Sequence, residues 1–146
     1  GIFVFPAPVG VGDFSVETFE AGIYTLSAAK GTIVLLNFSA TWCPPCKEEL
    51  SLLEDFYQEI KNDKQVQFLT VSNESREKVA DFIEEKAYTF PVLIDGHKAL
   101  AEKFKVESIP RVFVIAKDNT ISAVYIGYHQ DLAEILRADI EKLKKQ

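Results

Sequence analysis

The stretch Ile33-Val34-Leu35-Leu36-Asn37-Phe38-Ser39-Ala40-Thr41-Trp42-Cys43-Pro44-Pro45-Cys46-Lys47-Glu48-Glu49-Leu50 decides how the rest of the sequence is read. It opens on a continuous apolar run, the pattern of a strand covered on both faces. A helix is predicted from Pro44 to about Ile60, since proline is tolerated in a first turn whose N–H groups lack partners anyway. At the junction stand Cys43 and Cys46, the chain's only two cysteines. A pair this close constrains almost no loop and adds little chain-entropy stabilisation. It serves chemistry or a metal.

A cysteine at a helix start meets unpaired backbone N–H groups and the positive end of the helix dipole, which both favour the thiolate. Helical phase then divides the roles. Cys46 shares a stripe with Leu50, Leu53, Tyr57 and Ile60 and points inward, whereas Cys43 is expected at an exposed tip. Cys43 is therefore the candidate nucleophile and Cys46 the resolving thiol, with Trp42 as an apolar collar around the exposed sulfur. Counting back from Leu53, Phe56 and Ile60 also puts Glu49 on the apolar stripe, while Glu48 falls with Asp55 and Glu59 on the wet face. An inward carboxyl below Cys46 has a raised pKa and can carry the thiol proton near neutrality. The plainer reading is a glutamate at the stripe's edge reaching back to water.

Outward from this stretch, strands alternate with helices. Val66–Val71 is predicted as a second strand and 75–87 as a helix, from the spacing of Val79, Phe82 and Ile83. A short strand at Val92–Ile94 and a short helix carrying Leu100 and Phe104 follow. Arg111–Ala116 is the third core strand. Lys117-Asp118-Asn119-Thr120 supplies turn chemistry, so Ile121–Ile126 returns antiparallel. A closing helix over 130–144 presents Leu132, Ile135, Leu136, Ile140 and Leu143 on one face. Ahead of all this, 14–19 and 24–26 flank Glu20-Ala21-Gly22 as a β-hairpin. The sum is a mixed α/β sheet with helices on both sides. Ile109-Pro110 just before the third strand marks a special turn and a candidate cis bond, because proline cannot donate to a ladder.

A formal charge of −6, with no basic stripe apart from Lys142, Lys144 and Lys145, argues against nucleic acid as a partner. Those lysines read as cations complementing the end of the last helix. No uncharged run reaches the ~20 apolar residues of a spanning helix, and no signal peptide is visible.

Asn37 through Glu49 resembles the active-site segment of the thioredoxin superfamily, and more narrowly its bacterial TlpA/ResA/CcmG branch of membrane-tethered reductases. The likeness continues through Phe90-Pro91-Val92-Leu93 with Asp95, and through Ser108-Ile109-Pro110 with the strand behind it. It implies a thioredoxin-like fold in one domain over 1–146, with residues 1–31 as an N-terminal extension and 72–105 as an insertion. It implies that Pro110 is a cis-proline facing the disulfide and that the Ile109 backbone pairs with extended substrate. Asn37 stands where thioredoxins keep a buried Asp. Glu49 matches the branch's acidic residue near the resolving cysteine. The candidate catalytic residues are thus Cys43, Cys46 and Glu49, and the substrate-binding ones Trp42, Pro44, Pro45, Ile109 and Pro110.

Three positions depart from the branch: Ser39 replaces an aromatic, Ser51 a helix-kinking proline, and Arg111 a small Thr. The first and third are expected where a partner docks. The implied activity is thiol–disulfide exchange with protein disulfides, apocytochrome c among them, with electrons from a membrane dithiol donor and no cofactor beyond the Cys43–Cys46 disulfide. No metal is expected, and the protein is expected to be a monomer. The implied location is extracytoplasmic, in the periplasm or on the outer face of a bacterial membrane with an anchor preceding Gly1; the cytoplasm is the alternative.

Two rival chemistries have weaker support. A zinc or copper site on Cys43, Cys46, His97 and His129 needs histidines far closer in sequence than these two. Peroxide reduction on the related peroxiredoxin pattern needs Thr three residues before the nucleophile, where this chain has Ala40. Among redox directions, Pro44 and Pro45 remove two N–H donors that would otherwise stabilise the Cys43 thiolate. That favours a reductant.

Overall fold

The computed structural model describes residues 2–146, with side chains from Val9 onward. Eight strands form one curled sheet: β1 (Ile2–Gly10), β2 (Ser15–Thr18), β3 (Ile23–Thr25), β4 (Ile33–Phe38), β5 (Val66–Ser72), β6 (Val92–Ile94), β7 (Arg111–Ile115) and β8 (Thr120–Ile126). Four helices accompany them: α1 (Pro44–Ile60), α2 (Arg76–Lys86), α3 (Ala99–Lys103) and α4 (Leu132–Lys144). The strand order is β1-β8-β7-β4-β5-β6-β2-β3. β4, β5 and β6 run parallel, β7 and β8 antiparallel to their neighbours. The α/β thioredoxin-like expectation, including the N-terminal hairpin of β2 and β3, is met.

β4 shows why a continuous apolar run was needed. All six of its residues are buried. Ile33 and Leu35 face α1 and α4 in one core, whereas Val34, Leu36 and Phe38 face α3 and the short 3₁₀ turn at Leu26–Ala29 in the other. Period-two alternation puts Asn37 with the first set. Fully burying side chains of this size contributes about 1.5–3 kcal/mol each, so the strand that carries the cysteine loop is among the firmest parts of the fold. The α4 stripe of Leu132, Leu136, Ile140 and Leu143 is buried as its periodicity predicted.

One element goes beyond the sequence reading. Residues 2–10, part of the expected N-terminal extension and carrying Pro6 and Pro8, had no strand assigned to them, and they pair with β8 as an outer strand. The register shifts between Val4 and Val9, around the two prolines, which is how an edge strand accommodates residues without an N–H. The short strand expected at Val92–Ile94 is β6, which lies between β5 and β7 in the chain and links β5 to the hairpin through β2.

Candidate active site

β4 continues into the loop at Ser39–Trp42, where the Ser39 amide still donates to the Val71 carbonyl at 3.1 Å. Cys43 then takes the N-cap position of α1, with Pro44 and Pro45 in the first turn. The two cysteines form a disulfide with Cα atoms 5.1 Å apart, an ordinary separation for such a bond. The Cys46 amide donates to Cys43 Sγ at 3.3 Å. Because the prolines between them have no N–H, this is the first main-chain donor of the helix able to reach that sulfur.

Cys46 is fully buried, as the helical phase required. Cys43 corrects the expectation of an exposed tip: it is only 4% exposed. The reason is its neighbours, since Ala40 and Ile109 close over the sulfurs in a small apolar cluster. The collar is therefore made by Ala40 and Ile109. Trp42 instead projects outward, 68% exposed. Pro44 and Pro45 are exposed beside the disulfide.

Glu49 lies one turn beyond Cys46 on the inward stripe and is 1% exposed. Neither carboxyl oxygen has a hydrogen-bond partner. Burial pushes its pKa up to about 8, opposed only by the main-chain amide of His129, whose approach falls short of hydrogen-bond geometry. The reading of Glu49 as a residue that returns to water is thereby excluded. Nearby on β4, the Asn37 amide donates to Thr70 Oγ1 at 3.3 Å, leaving its own oxygen unpartnered.

The Ile109–Pro110 bond is cis. The Pro110 carbonyl accepts from the Gly127 amide at 2.9 Å, where positive φ (84°) lets the chain turn sharply out of β8. Arg111 directly follows the cis bond. It folds back, donating to Ser108 Oγ at 3.0 Å and to the Lys105 carbonyl at 3.4 Å, so it braces the loop before the cis bond. Ser39 is likewise turned in, 7% exposed with its hydroxyl unpartnered. Between Trp42 and Ile109 runs an open groove of about 260 Å³ floored by Phe38 and Val71, with Asn73, Lys98 and Glu107 among its polar residues.

The sequence reading missed Glu74. Its carboxylate accepts from the Thr41 amide at 2.8 Å, the Thr41 hydroxyl at 2.5 Å and the Ser72 hydroxyl at 3.1 Å. The only local signal was an acidic residue ahead of α2, indistinguishable from a helix-start preference. His129 Nε2 contacts the Ile126 carbonyl at 2.9 Å, and among the described residues no three of His, Cys, Asp and Glu converge where an ion could sit.

Residues 9–124 match the AhpC/TSA family. The chain is 36% identical over 112 residues to a thiol–disulfide oxidoreductase ResA from Oceanobacillus iheyensis, covering 76% of this chain and 58% of that one. With the thioredoxin-like protein YneN of Bacillus subtilis it shares 33% over 117 residues, 79% of this chain and 68% of the relative. The crystal structure of StoA from Bacillus subtilis superposes with a TM-score of 0.77 at 30% identity, covering 90% of this chain and 98% of that one. The chain belongs to the AhpC/TSA family. Within that family its relatives are the ResA- and StoA-type thiol–disulfide oxidoreductases. It spans about three fifths of the length of the ResA relative and of the sporulation thiol–disulfide oxidoreductase A, 58% and 61%. In this family's setting the cis-proline, the cysteine pair at a helix start and the buried glutamate all fall on one end of the sheet.

Proposed function

We propose that this protein is a thiol–disulfide oxidoreductase that reduces disulfides in extracytoplasmic proteins. The observation that carries the reading is the Cys43–Cys46 pair at the start of α1, packed against Ile109, the residue that precedes the cis-proline. In the reduced protein, the Cys43 thiolate attacks one sulfur of a substrate disulfide. The substrate's other sulfur leaves as a thiolate, and a mixed disulfide joins Cys43 to the substrate. Glu49 then accepts the Cys46 thiol proton. The Cys46 thiolate attacks Cys43 Sγ, the second substrate thiolate departs, and two electrons have passed to the substrate. A pKa of about 8 suits Glu49 to this role, because it exchanges protons with a thiol of similar affinity.

The groove between Trp42 and Ile109 suits an extended polypeptide, whose backbone pairs along Ile109 beside the exposed Pro44 and Pro45. Reduction, rather than oxidation, follows from the scarcity of donors at Cys43 Sγ: a thiolate with little stabilisation gives a reducing pair. A measured potential near the strongly oxidising end, about −120 mV, overturns the direction. Apocytochrome c is the proposed client and a membrane dithiol the proposed electron source. Replacing Cys46 with Ser halts the cycle at the mixed disulfide. Capture of extracytoplasmic proteins, apocytochrome c among them, supports the assignment, and capture of cytosolic proteins alone defeats it.

A further inference from the structure

Among the described residues, one side chain from outside the Ser39–Trp42 loop hydrogen-bonds to it. Glu74, half-buried in the turn between β5 and α2, takes both the amide and the hydroxyl of Thr41 on its two carboxylate oxygens, at 2.8 and 2.5 Å. It is itself oriented through Ser72, whose hydroxyl donates to Glu74 Oε1 and accepts from the Glu74 amide, both at 3.1 Å. Charge-assisted bonds of this kind are about twice as strong as neutral ones. The residue they hold is two positions before Cys43. The bonded Glu74 oxygen lies 2.8 Å from the Thr41 amide, and Thr41 and Cys43 are two Cα steps apart, so that oxygen is at most ~12 Å from the Cys43 Cα, comparable with the ~8–10 Å over which salt screens charges. The surrounding charged groups are Lys47, Lys78, Asp81, Glu85 and Lys86, which line the open cleft that Thr41 also borders.

We propose that Glu74 is a positioning residue for the attacking cysteine: it fixes the Trp42–Cys43 turn through Thr41, and its charge disfavours a thiolate at Cys43 and so keeps the pair reducing. The inference rests on the thiol–disulfide reading above. It assigns to the turn entering α2 a part in catalysis that the sequence motif does not show.

Glu74→Gln and Glu74→Ala separate geometry from charge. Glutamine keeps an oxygen acceptor for the Thr41 amide, and alanine keeps nothing. With a disulfide-bonded peptide as substrate, kcat/KM is expected to fall about tenfold or more in Glu74→Ala and to stay within about threefold of wild type in Glu74→Gln. Loss of the negative charge stabilises the Cys43 thiolate and hence the dithiol form. In both variants the equilibrium constant against glutathione is therefore expected to move at least about threefold toward the reduced protein, and alkylation of Cys43 to persist to lower pH. A merely structural clamp leaves that equilibrium in place in Glu74→Gln. Wild-type kcat/KM in Glu74→Ala, or an unmoved glutathione equilibrium in Glu74→Gln, overturns the proposal. Wild-type protein that turns over no disulfide, or Cys43→Ser that still does, instead brings down the underlying reading.

Discussion

Glu49 and Asp95 are both carboxylates sealed from water, at 1% and 4% exposure, and the fold treats them oppositely. Asp95 receives the Leu100 and Ala101 amides at 3.0 Å each, satisfying two donors at the start of α3. Glu49 receives none. A buried polar group without partners costs stability, so Glu49 is a liability that packing alone would have replaced with leucine. The contrast separates a carboxylate that holds the structure from one that makes no such bond and that the proposed mechanism uses as a proton carrier.

The largest test of that contrast is pH. Below about pH 4.5 Glu49 carries its proton folded or unfolded. Between there and about pH 8 the unfolded chain releases the proton while the folded protein keeps it, so this group's contribution to stability falls as pH rises; above about 8 the loss is complete. Counting the whole shift gives a loss on the order of 4–5 kcal/mol. Denaturant unfolding of wild type and Glu49→Gln across pH 4–9 isolates it, because Asp139, which burial also raises, is common to both. Parallel stability curves would remove the basis for Glu49 as proton carrier.

Catalysis comes next. Glu49→Gln is expected to slow resolution of the mixed disulfide by about 10²-fold, within the range for a lost general base. Stopped-flow emission reads this directly, since Trp42 is the sole tryptophan and stands beside the disulfide. Asp95→Asn should do the reverse, leaving that rate unchanged and costing about 1–2 kcal/mol in unfolding for the lost cap. If the two variants exchanged phenotypes, the distinction would collapse. The smallest effect is expected at Ser39. Its hydroxyl is buried and unpartnered, so Ser39→Ala should be neutral or slightly stabilising by thermal melting, and a loss of more than about 1 kcal/mol would reveal a partner for that oxygen.

Much of this site could be read in advance. The inward face of α1 depends on 3.6-residue periodicity alone, so Cys46 and Glu49 were placed correctly from sequence. The cis-proline was a candidate because Ile109-Pro110 precedes an apolar strand. Cys43 was misjudged because exposure at a helix start depends on what lies above it, and Ile109 arrives there from far along the chain. The contacts of Arg111 at Lys105 and Ser108 could not be read in advance for the same kind of reason: they are settled by the path of a loop, which no periodicity encodes. β1 was lost because prolines weaken a strand signal that an edge position tolerates.

By itself, then, the sequence determined the order of groups along the helix: which cysteine caps, which lies inward, and that a carboxyl follows it on the same face. These are local consequences of backbone geometry. Only the tertiary structure decided how dry that carboxyl is, what covers Cys43 and that Glu74 grips Thr41. Desolvation and long-range hydrogen bonds exist only once segments distant in the chain have been packed together.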